Sequence, residues 1–104
     1  MNKTELNKDQ IHFILSLIRN RVGEITRPSD ILSIQDKCCL LIIKEFTDNI
    51  LSKVSKMIIQ QSQTAKIQVT PVLVLALEWL FDTIDILDLD PFQYSTIKLL
   101  NIWN

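Results

Sequence analysis

Two adjacent cysteines, one histidine and a string of carboxylates are the residues of this chain whose types could do chemistry. Cys38 and Cys39 stand inside the apolar run Cys-Cys-Leu-Leu-Ile-Ile. Neighbouring cysteines pair only through a strained small ring, and two thiols with no second Cys or His pair nearby cannot complete a structural zinc site. They are expected to be free, buried and reduced, acting as small hydrophobes. His12 is the single histidine and falls at helical spacing beside Lys8, with no activated Ser or Cys near it in sequence, so it fits a helix surface better than a triad. Glu78, Asp82 and Asp85 would share a face of one helix at i, i+4 and i+7, an arrangement able to meet a cation, although a solvated acidic face explains it as well. Neither the glycine and oxygen-ligand spacing of a calcium hand nor a Walker lysine motif occurs. The sequence therefore nominates no catalytic residue, no metal ligand and no cofactor, and the expectation is a protein that is not an enzyme.

Charge is distributed unevenly. Residues 1–33 carry five basic and four acidic groups, residues 34–66 five and three, and residues 67–104 only Lys98 against five acids, within an overall net charge of −1. A DNA-reading helix needs arginine or lysine to answer phosphate charge. Pro71–Thr83 has neither. Any contact with nucleic acid would be non-specific and would come from Lys44, Lys53, Lys56 and Lys66, or from Arg19, Arg21 and Arg27.

The elements that would position these residues are mostly helical. The chain has 104 residues, 47% hydrophobic and 22% charged, with one glycine and three prolines. This is one domain with enough chain for a modest core, and too few turn formers for a barrel or sandwich. The longest apolar runs are far shorter than the roughly 20 residues of a membrane span, and no signal-peptide pattern opens the chain, so a cytoplasmic location is expected. Ile11, Ile14, Leu15, Ile18 and Val22 mark one face of a helix that starts at Thr4 or Asn7, with Asn7 as a candidate N-cap and Gly23 just past the end. Ser33 and Asp36 cap a second helix running to about Phe46, with Ile34, Cys38, Leu41 and Ile42 inward. Thr47-Asp48-Asn49 reads as a break, and Ile50 to about Gln61 as a third helix aligning Ile50, Leu51, Val54, Met57 and Ile58. Lys66–Val69 alternates like a short strand. Thr70-Pro71 starts a further helix to about Thr83. Ile84–Leu89 and Thr96–Ile102 are β-prone on either side of Asp90-Pro91 and read as a terminal β-hairpin, with helix continuing through Leu87 as the rival.

That order gives a mainly α fold with a small β-hairpin, a winged-helix-like domain in which residues 1–23 form an N-terminal helical arm and residues 33–102 the core. A four-helix bundle is the alternative. Val74–Leu89 resembles the helix-to-wing segment of the small middle component of bacterial ABC-three-component systems, the group that includes the Lamassu anti-phage defence systems. Ala76, Leu77, Glu78, Leu80 and Phe81 match that family's Ala-Leu-acidic-x-Leu-aromatic pattern, and Ile86 its wing isoleucine. Pro28-Ser29 through Leu40-Leu41 is loosely similar to its entry into the first core helix, so the resemblance covers about two thirds of the chain. Ile84 stands where the family places a glycine. The resemblance implies a non-catalytic accessory subunit that bridges an SMC-like ABC ATPase and an effector, often a nuclease.

The residues themselves also point to protein contacts. Val72, Leu75 and Trp79 form one apolar stripe, and Leu73, Leu77, Leu80 and Ile84 another. One stripe can face the core and leave the other for a partner, or both can be internal. Trp103 is either a further anchor for a partner or the last core residue. A DNA-associated regulator of the same fold and a homo-oligomeric helical scaffold are the competing readings.

Overall fold

The computed structural model describes residues 2–26, 32–82 and 84–102. It is mainly helical, with four α-helices and one two-stranded antiparallel sheet. The strands are β1 (Asn2–Asn7) and β2 (Thr64–Val69), and the helices are α1 (Lys8–Ile25), α2 (Ile34–Gln60), α3 (Pro71–Leu80) and α4 (Pro91–Leu99). A single 3-10 turn, Ile86–Asp88, lies between α3 and α4.

The first helix begins as its cap predicts. The Asn7 side chain accepts from the Gln10 amide at 2.8 Å, and the Gln10 side chain accepts from the Asn7 amide at 2.9 Å, a reciprocal box. Its end differs from expectation, because Gly23 lies within the helix and has no positive φ. Ahead of Asn7 the chain forms β1, an unforeseen strand. It pairs with β2 in a register that sets Thr4 opposite Ile67, Glu5 opposite Lys66 and Leu6 opposite Ala65. Leu6, Ile67 and Val69 are buried, so the sheet's inner face seals the core, while the opposite charges of Glu5 and Lys66 face each other across the strands.

The expected break at Thr47-Asp48-Asn49 does not occur: α2 runs through it. Thr47 stays helical by donating its hydroxyl to the Ile43 carbonyl at 3.0 Å, a bond that needs no departure from helical backbone. The inward face is also corrected. Ile43, Phe46, Ile50 and Met57 are buried, whereas Ile34 and Leu41 are 80% and 67% exposed. Cys38 is exposed and Cys39 half-buried, both as free thiols, so the expected burial of the pair fails at Cys38. The helix ends at Gln61, whose left-handed φ of 56° lets Ser62 donate to the Met57 carbonyl and Gln61 to the Ile58 carbonyl.

The helix start at Thr70-Pro71 is as expected, with the Thr70 hydroxyl accepting from the Leu73 amide. The terminal hairpin is not found. Asp85 caps the 3-10 turn, and Asp90 caps α4 in a reciprocal box with Gln93, with Pro91 preset at the first helical position. Thr96 belongs to that helix, buried, with its hydroxyl donated to the Phe92 carbonyl at 2.7 Å. The wing of the winged-helix expectation is thus replaced, over the described residues 84–102, by a 3-10 turn and a short helix.

One core joins these elements. Ile11, Ile14 and Ile18 of α1 meet the buried residues of α2, Leu73, Ala76, Leu77 and Leu80 of α3, and Ile97, Leu100 and Ile102 from the C-terminal end. The region expected to be an arm is therefore part of the same core. Phe13 of α1 packs against Phe92 of α4 with ring centroids 6.2 Å apart. Among the described residues, no helix is long and apolar enough to cross a membrane.

Candidate protein-interaction surface

The two stripes of α3 separate cleanly. Leu73, Leu77 and Leu80 are buried with Ala76, and Ile84 follows them half-buried just past the helix end. The other stripe faces outward: Val72 is 57% exposed and Leu75 67% exposed. Trp79 stands between, partly buried and packed against the core. Trp103 lies outside the described residues. Of the four residues expected to bind a partner, Val72 and Leu75 thus form an exposed apolar pair on α3, with Trp79 at its inner margin.

Val72 also walls a depression of about 390 Å³ between α2 and α3, shared with Ile42, Glu45, Phe46, Asn49, Gln68, Thr70 and Leu73. A larger groove, about 590 Å³, runs between α1 and α2. Leu15, Ile18 and Val22 line it from α1, and Leu40, Leu41, Ile43 and Leu51 from α2. Its charged lining consists of Arg19, Lys37, Lys44 and Asp48. Sequence reasoning missed this groove because it placed Leu41 inward. The signal was present in the spacing of Ile43, Phe46, Ile50 and Met57, which forms one continuous inward face and leaves Leu41 and Leu51 outside it.

The candidate nucleic-acid lysines are not gathered into one patch. Continuous winding of α2 places Lys44 and Lys53 about 180° apart around the helix, with Lys56 between them in angle. Lys66 is on β2, opposite Glu5.

The groups with chemical potential are also dispersed. His12 is exposed on α1. Glu78 lies in α3, Asp82 beyond its end, and Asp85 is committed to the Leu87 amide at 2.9 Å, so the three carboxylates do not share a helical face. Among the described residues, no group of three or more His, Cys, Asp or Glu is placed to hold a metal ion. Burial pushes the Cys39 thiol pKa up, with the charge of Asp36 and the neighbouring Cys38 adding to the effect.

No family model matches the chain, nor does any curated protein or solved structure.

What the surface offers is apolar area presented on helices. Leu75 is exposed on a helix whose opposite face is fully packed, so its position costs a partner little ordering entropy on binding.

Proposed function

We propose that this chain is a non-enzymatic interaction subunit whose outward α3 face, Val72 and Leu75 with Trp79 at its margin, is covered by a larger protein. The observation that carries this reading is the exposure of Val72 and Leu75 on a helix whose other stripe is already buried in the core. The resemblance of Val74–Leu89 to the middle component of ABC-three-component systems supports an SMC-like ABC ATPase as that protein, with an effector nuclease as the second partner in an anti-phage complex. The cytoplasm is the compartment such a complex occupies, and two free thiols accord with a reducing environment. The chain contributes contacts to this assembly, and nucleotide chemistry belongs to the ATPase.

The competing regulator reading has less support, since α3 carries no basic residue and the α2 lysines diverge around the helix. The test is affinity purification of the tagged chain from its native host, with nuclease treatment. Stoichiometric recovery of a coiled-coil ATPase, lost with Leu75→Asp, is the expected result. Recovery of the bait alone, together with duplex binding that weakens steeply with salt, overturns the reading in favour of a DNA-binding regulator.

A further inference from the structure

The groove between α1 and α2 and the turn between α3 and α4 have complementary chemistry. The groove has an apolar floor that includes Leu15, Val22, Leu41 and Leu51. Its rim carries the exposed cations Arg19, Lys37 and Lys44 against one carboxylate, Asp48. The turn is the reverse, an apolar tip in an acidic frame. Leu87 is 90% exposed and Ile86 47% exposed, and Asp82, Asp85, Asp88 and Asp90 surround them with no cation from Asp82 to Asp90.

The turn is also closed by its own hydrogen bonds. Asp88 donates its amide to the Asp85 carbonyl at 3.0 Å and Leu89 to the Ile86 carbonyl at 3.1 Å, while the Asp85 carboxylate accepts from the Leu87 amide at 2.9 Å. Leu89 packs against the core and anchors the base of the turn. An exposed leucine on a hydrogen-bonded turn is already in the shape it would have when bound, which lowers the entropic cost of docking. Its exposure shows that it does not occupy the groove of its own chain.

We infer that the α1–α2 groove receives the Ile86–Leu87 turn of a second copy of this chain, with Asp88 and Asp82 of the incoming turn facing Arg19, Lys37 and Lys44. The groove of one copy meets the turn of another, so the contact closes a two-fold dimer where it is made reciprocally and builds rings or open chains where it is not. A groove filled by one turn is small beside the roughly 1,600 Å² of a standard interface, so assembly is weak and depends on concentration. The contact uses neither Val72 nor Leu75, and it stands or falls independently of the partner proposed for α3.

The test is sedimentation of the full chain across a concentration series, with far-UV circular dichroism to show that each variant is folded. Wild type is expected to self-associate, and to do so less at high salt. Leu87→Asp, which removes the plug, and Leu41→Asp, which spoils the socket, should each weaken association by about tenfold or more. Both positions are exposed, so the monomer tolerates them. Mixing the two variants leaves one intact socket and one intact plug, and must yield a 1:1 complex. As a second check, Lys44→Glu and Asp88→Lys should each weaken association when alone, and a chain carrying both should regain it. A wild type monomeric to about 1 mM, single variants that associate like wild type, or folded variants whose mixture forms no complex would each overturn the inference. Binding of an acidic amphipathic peptide to a monomeric wild type would likewise overturn it, by giving the groove to a different partner.

Discussion

The Nε of Arg21, on α1, donates to the carbonyl oxygen of Leu80, the last residue of α3, at 3.1 Å. That carbonyl is among the helix-end acceptors that have no intrahelical donor, and the guanidinium also brings positive charge to the negative end of the helix dipole. The same guanidinium pairs with Glu24 one turn further along α1. Arg21 therefore fixes where the first helix stands against the end of the helix that carries the exposed Val72–Leu75 face. Arg21→Met keeps most of the apolar stem and removes the donors. It is expected to destabilise the fold by about 1.5–3 kcal/mol, the range for a hydrogen bond to a charged group, measured by urea unfolding. Arg21→Lys should recover only part of that, because lysine cannot reproduce the planar fork that serves two acceptors.

Gly23 yields a prediction of opposite sign. It is helical, has no positive φ, and a Cβ added there would meet nothing within 4 Å. Gly23→Ala should stabilise the protein by about 0.5–1 kcal/mol, seen as a higher urea midpoint with unchanged slope. Had Gly23 been the left-handed residue just past the helix end, the same substitution would have been destabilising, so the sign discriminates between the two conformations.

Those two residues show which parts of the fold can be read locally. The caps at Asn7, Ser33 and Thr70 are legible because each is a local bargain between a side chain and amides three residues on. The ends and phases of elements are not local. Gly23 marks no terminus because Ile25 is still packed against the core two residues later. The run Cys38–Ile43 is apolar on every side and gives no phase of its own, so the inward face of α2 emerges only when Ile43, Phe46, Ile50 and Met57 are followed across the polar Thr47-Asp48-Asn49. β1 has one buried apolar residue, Leu6, and exists because β2, some sixty residues away, supplies the other half of the sheet. At the C-terminal end, Thr96 and Ile97 are β-prone by composition, while the Asp90–Gln93 box and burial against α1 decide for helix. Of the interaction surface, the division of α3 into two stripes was visible in the spacing. The α1–α2 groove was not, since it depends on the phase of α2.

The two cysteines should react differently despite being neighbours. Cys38 is exposed, whereas Cys39 is half-buried with its thiol pKa raised, first by desolvation and then by Asp36 and Cys38. Thiolate is the reactive form. Alkylation with iodoacetamide near neutral pH, followed by mass spectrometry, should modify Cys38 first, and the rate profile of Cys39 in a Cys38→Ser variant should be displaced to higher pH. The linkage has a definite sign. Between the unfolded thiol pKa and the raised folded value, the folded chain holds more protons than the unfolded one. The stability tied to protonated Cys39 is therefore complete below the unfolded pKa of about 8.5 and is lost as pH rises through the folded value. Equal alkylation rates at both positions would contradict this placement of α2.

The last prediction concerns the two stripes of α3, on which the functional proposal depends. Leu77 and Leu75 are two residues apart and chemically identical, yet Leu77 is fully buried and Leu75 largely exposed. Leu77→Ala removes buried methyl groups and leaves a cavity in the shared core, so it should cost about 2–5 kcal/mol in urea unfolding. Leu75→Ala removes no core contact and should stay within about 0.5 kcal/mol of wild type. The alanine pair therefore separates folding from function. A purified Leu75→Ala chain should unfold like wild type and yet bind its partner more weakly, because an exposed leucine without a stabilising role in the monomer contributes through what covers it. If instead Leu75→Ala destabilised the isolated chain as much as Leu77→Ala, both stripes would be internal, and the outward face of α3 would have no claim as an interaction surface.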